Sequence, residues 1–249
     1  MSGHSKWHNI RLRKGAQDAK KSKMFGKLGR ALMAAAREGG GDPDMNVRLR
    51  TIMDKARQAG MPQDNIKRAI QKGTGELGGA RFEEYTYEGY GPGGVAVMMQ
   101  VLTDNRNRAV GEIRSVLSRN GGNLGESNCV AWMFAQKGVV IVARSAAEED
   151  QLLEIALEAG AEDMQSDETS HEIRTAPTDL EAVTSGLKAK GIAYDSAEVT
   201  MLPQNRVELD VRKAQQTLRL MEALEDLDDV QQVYANFDIP EAIMEAVAA

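Results

Sequence analysis

Gly73-Thr74-Gly75-Glu76-Leu77-Gly78-Gly79-Ala80 is the stretch on which the fold turns. Glycine fills half of it, and glycine is costly in the interior of a helix or strand, so the segment reads as a hinge. Apolar residues before it recur at helical spacings of three and four. Those after it fall in short β-branched and aromatic runs bounded by turn residues. The charge reverses at the same place. Residues 1–80 hold 17 of the 31 Lys and Arg and seven of the 37 Asp and Glu, a net of +10. The remainder carries −16, so the whole-chain value of −6 conceals a basic element joined to an acidic body.

Upstream of the hinge, residues 1–15 (MSGHSKWHNIRLRKG) show no sustained helical period and read as an extended arm. In residues 16–37, Phe25, Leu28, Leu32 and Ala35 make one apolar stripe. Lys20, Lys23, Lys27 and Arg30 repeat its spacings on a second stripe, roughly a third of a turn round the helix. Asp42-Pro43 is expected to open a second helix that buries Val47, Ile52, Met53 and Ala56 and stops at Gly60 before Pro62. A third, over 62–72, buries Ile66, Ala69 and Ile70 and leaves Lys67, Arg68 and Lys72 outside.

Downstream, residues 85–88 and 95–103 are strand-like around the turn Gly89-Tyr90-Gly91-Pro92-Gly93-Gly94, and 106–119 is an amphipathic helix. Residues 130–134 are read as a further strand. Residues 136–205 then follow the order strand, helix, strand, strand, helix, strand, the ferredoxin-like split βαβ pattern. The last strand–helix–strand set, from 206 onward, completes the earlier elements into a second unit of the same kind. The fold class expected is α+β and multidomain: a basic all-helical domain (1–80), an α+β domain (82–135 plus 206–249), and a second α+β domain (136–205) inserted into it.

Composition and motifs exclude several classes. A 42% hydrophobic share is enough for ordinary cores, and one cysteine allows neither an internal disulfide framework nor a cysteine-rich zinc module. The longest aliphatic run, 139–143, is far short of the roughly 20 residues that span a bilayer. His4 and His8 are four apart without a zincin acid, and His171 is read in a polar turn, so no metal site is expected. Cys129 lacks an evident base. The glycine-rich 89–94 and 121–125 segments read as tight turns rather than phosphate loops, and Glu222, Glu225, Asp226, Asp228 and Asp229 as solvated carboxylates. No nucleophile–base–orienter set is visible, so no catalytic residue, cofactor or small-molecule substrate is expected.

A binding role fits better. Lys6, Arg11, Arg13, Lys14, Lys20, Lys21, Lys23, Lys27 and Arg30 supply cations for phosphate oxygens. Trp7 among them either stacks on an unpaired base or caps the helical bundle. Arg106 and Arg108, following Thr103-Asp104-Asn105, form a second candidate patch. No zinc finger, basic zipper or aromatic RNP pair is present, which favours recognition of backbone and shape.

Met1-Ser2-Gly3-His4-Ser5-Lys6-Trp7, Ala16-Gln17-Asp18-Ala19-Lys20, Ala36-Arg37-Glu38-Gly39-Gly40-Gly41-Asp42-Pro43, Met61-Pro62-Gln63-Asp64-Asn65-Ile66, Tyr87 to Gly94, Thr103 to Arg108 and Val130-Ala131-Trp132-Met133-Phe134 together resemble the YebC/PmpR family, end to end and in order. Arg11-Leu12-Arg13-Lys14 departs from the histidine-containing form of that segment, and Gly26 and Gly29 stand where better helix formers are usual. The resemblance implies one helical and two α+β domains, the last inserted into the middle one, in a cytoplasmic, non-enzymatic regulator of gene expression. Bacterial members are described as DNA-binding transcriptional regulators. Mitochondrial relatives are translational activators of cytochrome c oxidase, and a ribosome-associated role has been attributed to bacterial members too. With the opening motif at residue 1, the chain looks bacterial. The expected partner is therefore nucleic acid, first DNA, alternatively ribosomal RNA and the ribosome. No membrane partner is expected, and a protein-interaction adaptor is the more distant alternative.

Overall fold

The computed structural model describes residues 18–239. Its first unit is three helices: α1 (Asp18–Gly39), α2 (Val47–Gln58) and α3 (Gln63–Thr74). Leu32, Ala35 and Ala36 of α1 meet Leu49, Met53 and Ala56 of α2 and Ile66 and Ala69 of α3 in one core. The second helix starts later than Asp42-Pro43 suggests. Asn46 is its N-cap: the side chain accepts from the Leu49 amide at 3.0 Å and donates to the carbonyls of Ala35 and Gly40. That leaves Val47 in the exposed first turn and puts Leu49 in the core.

Gly73 lets α3 approach α1. A Cβ there would run into the Met33 carbonyl oxygen and lie 2.8 Å from the Ala36 Cβ. Gly73→Ala is expected to cost a net of about 1–2 kcal/mol, because overpacking exceeds the gain in helix propensity. A urea melt of the full chain measures it.

Past the hinge, β1 (Glu83–Tyr90) and β2 (Ala96–Thr103) form an antiparallel hairpin in register from Glu83↔Thr103 to Tyr90↔Ala96. Its tight end uses the positive φ of Gly93 and Gly94. With β3 (Asn123–Leu124) and β9 (Val230–Ala235) they make a sheet of order β3-β1-β2-β9. Helices α4 (Arg106–Arg119) and α7 (Val211–Glu225) cover one face, where Val97, Met99, Val101 and Val233 meet Ile113, Leu117, Leu218 and Met221.

The second sheet has the order β5-β6-β4-β7, from β4 (Phe134–Ala143), β5 (Ala161–Ser166), β6 (Ser170–Thr175) and β7 (Ser196–Pro203). Helices α5 (Glu149–Glu158) and α6 (Leu180–Ala189) pack on one face of it over Val140, Val142 and Ile173. Its chain path is the split βαβ. The first sheet has an equivalent strand order but another path. A hairpin joins β1 to β2, and the strand before α7, β8 (Val207–Glu208), leaves the sheet to pair in parallel with β10 (Phe237–Asp238).

Residues 130–134 are not one strand. Ala131–Met133 is a 3-10 turn and β4 begins at Phe134. The cause is Glu88, whose carboxylate accepts from the amides of Asn128, Val130 and Ala131, each at 2.7 Å, and so removes them from any strand ladder. His171 is likewise not in a turn. It is fully buried on β6, with Nδ1 2.7 Å from the Ser166 hydroxyl.

Candidate nucleic-acid interface

The periodicity of α1 puts its cations on one face, and the structure shows what most of that face touches. Lys23 Nζ lies 3.3 Å from Asp226 Oδ1. Lys27 Nζ donates to the Glu225 carbonyl at 2.6 Å, and the Arg30 guanidinium donates to the Asp228 carbonyl, with Asp228 Oδ1 4.0 Å away. Residues 225–228 are the C-terminal end of α7 and the turn after it. Carbonyls there lack helical partners, and the helix dipole is negative. The expectation that Lys23, Lys27 and Arg30 form an open row for phosphate is therefore corrected: in this structure they dock the helical unit onto the first sheet unit. Asp226 and Asp228 are in turn ion-pair partners rather than merely solvated.

Two further contacts tie the helical unit to the sheet units, one to each sheet. Arg48 on α2 bridges Glu38 and, across the hinge, Glu84 of β1. Lys55 reaches Glu198 on β7 at 3.3 Å. Lys23, Arg30, Arg48 and Lys55 thus have carboxylate partners in the acidic body, and the rest of the +10/−16 partition stands.

Thr103-Asp104-Asn105-Arg106-Asn107-Arg108 also divides by role. Asn105 caps α4 by accepting from the Arg108 amide at 3.1 Å. The Arg108 guanidinium donates to Asp104 and to the buried Asp229, both at 2.8 Å, and Thr103 Oγ1 donates to Asp229 at the same distance. Hydrogen bonds to Asp229, then to Asp104, hold the Arg108 pKa above its ordinary value. Arg108 is thereby corrected from an open phosphate contact to the partner of a buried carboxylate, and Asp229 from a solvated acid to its anchor. Arg108→Ala is expected to lower the melting temperature, because it leaves Asp229 buried with the Thr103 hydroxyl as its remaining side-chain partner. Thermal unfolding tests this, and Asp104→Ala, which spares the buried pair, should cost much less. Arg106 is different: it is exposed, with its guanidinium 5.1 Å over the Tyr85 ring.

Lys21 is exposed. Lys6, Trp7, Arg11, Arg13 and Lys14, and the side chain of Lys20, lie outside the described residues.

Sequence reasoning missed the Glu88 cradle, because a lone glutamate in Tyr87-Glu88-Gly89 looks like an ordinary outward strand residue. The cradle shapes a loop in which Asn128 takes a φ of 66° and Trp132 stays 66% exposed, its indole N–H donating to the Cys129 carbonyl at 3.2 Å. Burial, and then the neighbouring Glu88 charge, push the Cys129 thiol above its ordinary pKa. The thiolate is the reactive form, so alkylation of this one cysteine should be slow at neutral pH and accelerate only above the usual thiol range. Iodoacetamide labelling followed by mass spectrometry across pH checks it.

Among the described residues, no group of three or more His, Cys, Asp and Glu is placed to hold a metal, and no helix is long and apolar enough to cross a membrane.

Residues 5–76 match the family model described as the TACO1/YebC protein N-terminal domain, and residues 82–237 match that of the TACO1/YebC second and third domain. A probable transcriptional regulatory protein of Pelotomaculum thermopropionicum is 54% identical over 241 residues, covering 96% of this chain and 99% of the relative. One from Rubrobacter xylanophilus is 55% identical over 249 residues and the full length of both chains. The crystal structure of a conserved hypothetical protein from Aquifex aeolicus superposes with a TM-score of 0.80 at 49% identity, over 90% of this chain and 93% of that one.

Proposed function

The chain belongs to the TACO1/YebC family, and from that premise we propose that it is a cytoplasmic, non-enzymatic regulator of gene expression that binds nucleic acid through its basic N-terminal unit. Relatives similar over their whole length are named probable transcriptional regulatory proteins, which makes DNA the first target. The observation that carries the reading is the charge partition. Residues 1–30 hold nine cations against one acid, Asp18, and the acidic sheet units would repel a polyanion from the rest of the surface.

Candidate contacts are Lys6, Arg11, Arg13, Lys14, Lys20 and Lys21 to phosphates, Trp7 to a base or to the helical unit, and Arg106 at the second patch. Binding of this kind releases counterions. Affinity should therefore fall steeply with salt, the slope of log K against log salt being roughly −0.9 per phosphate neutralised on a DNA duplex. Crosslinking in cells, followed by sequencing of the attached nucleic acid, tests the target. Recovery of promoter fragments supports the DNA reading. Recovery of ribosomal RNA alone replaces it with a translational role, and recovery of neither overturns nucleic-acid binding.

A further inference from the structure

The α1 row is engaged with the body of the molecule, yet another set of cations is not. Lys67, Arg68 and Lys72 on α3 are exposed, and none has an ion-pair partner among the described residues. Most described cations of the neighbouring helices behave otherwise: Lys23, Lys27, Arg30, Arg48, Lys55 and Arg57 each touch a carboxylate or a carbonyl. The only acid on α3 is Asp64, in its first turn. Arg68 and Lys72, four apart, lie on one face about 6 Å apart along the axis, and Lys67 widens the patch round the helix. Like charges at this spacing weaken a helix slightly, so the arrangement is one that a polyanion relieves.

The patch is also firmly backed. Ile66, Ala69 and Gly73 form the buried side of α3, and the close approach of Gly73 to the Met33 carbonyl fixes that side against α1. Three cations on a fixed helix can meet several phosphates at little ordering cost.

We infer that the outer face of α3, through Lys67, Arg68 and Lys72, contacts the phosphodiester backbone of nucleic acid, while Lys23, Lys27 and Arg30 of α1 serve as the clamp between units. This rests on the nucleic-acid reading above and assigns it a surface. The exposed pair Lys21 and Arg37 of α1 belongs to the same helical unit and adds to its field.

The test is fluorescence anisotropy of the full chain with a short labelled DNA duplex, and with an RNA duplex of the same sequence, across a salt series. Lys67→Glu/Arg68→Glu/Lys72→Glu should weaken binding by at least about tenfold and flatten the salt slope by about two to three, one contact being worth roughly 0.9. The neutral variant Lys67→Gln/Arg68→Gln/Lys72→Gln should give a smaller loss in the same direction, with an unchanged melting curve for both. The control Arg114→Glu/Arg119→Glu/Arg212→Glu makes the same change in net charge on α4 and α7 and should leave the slope as it was. If the wild type binds but the α3 variants keep its affinity and slope, the α3 assignment is overturned and the functional reading stands. If control and α3 variants weaken binding equally, net charge alone accounts for it and the assignment fails. If the wild type binds neither duplex, both fall. A loss confined to the DNA or the RNA arm supports the assignment and identifies the source of the phosphates.

Discussion

Glu88→Ala should lower the stability of the full chain by about 3–5 kcal/mol, since it orphans three backbone donors that a buried carboxylate now satisfies. Glu88 is only 5% exposed, and both its oxygens are committed: one to the Asn128 amide, the other to those of Val130 and Ala131. In the wild type these three amides have no other acceptor among the described residues, and leaving a buried amide such as that of Val130 unpaired is expensive. The damage should not stay local. The loop leads into β4, whose Phe134 packs with Met98, Val130 and Tyr234 on the sheet face opposite α4 and α7. Urea unfolding measures the loss. Glu88→Gln, which keeps the shape but turns one acceptor into a donor, should fall between wild type and alanine. A loss below about 1 kcal/mol for the alanine variant, the size of one ordinary hydrogen bond, would show that the loop has another acceptor.

The helical unit and the second sheet were legible because their rules are local. Spacing of Leu28, Leu32 and Ala35 sets the buried face of α1, the Asn105 cap and the amphipathic period set α4 at Arg106–Arg119, and alternation with turns sets β4 to β7. What stayed hidden depends on partners far along the chain. Nothing near Lys27 indicates that its ammonium will meet the carbonyl of Glu225, 198 residues later. Nothing near Arg108 indicates the buried Asp229, 121 residues away. A row of cations on a helix has the same period whether it faces phosphate or a neighbouring helix end. The same ambiguity misplaced Asp229, whose position fits a solvated turn as well as an ion-pair anchor, whereas Asp226 and Asp228 are solvated as expected and pair with Lys23 and Arg30 besides. The second helix start failed for a related reason. Asp42-Pro43 is a good local start signal, but Asn46 outcompetes it by bonding the chain on both sides, to Ala35, Gly40 and Leu49.

Reversing the α1 clamp should change the shape of the molecule more than its stability. Exposed pairs such as Lys23–Asp226 contribute up to about 1 kcal/mol each, and the three α1 contacts act in parallel across one junction. Two of them, from Lys27 and Arg30, end on main-chain carbonyls, so neutralising Asp226 and Asp228 to asparagine leaves those hydrogen bonds in place and should have little effect. Lys23→Glu/Lys27→Glu/Arg30→Glu instead sets carboxylates against unpaired carbonyls, two aspartates and the negative end of α7. Each unit retains its own core, α1 to α3 around Leu32, Leu49 and Ile66, and the first sheet around Met99, Ile113 and Met221. The expected result is therefore separation of folded units about the Gly75–Ala80 hinge rather than unfolding. Small-angle scattering should report a larger radius of gyration with unchanged circular dichroism, and limited proteolysis should cut the variant in or beside the hinge before it cuts the wild type. The Arg48–Glu84 and Lys55–Glu198 contacts oppose this opening, and adding Arg48→Glu should enlarge it. A variant that keeps the wild-type scattering profile would mean that apolar packing across the junction, not the cation row, holds the helical unit against the sheets.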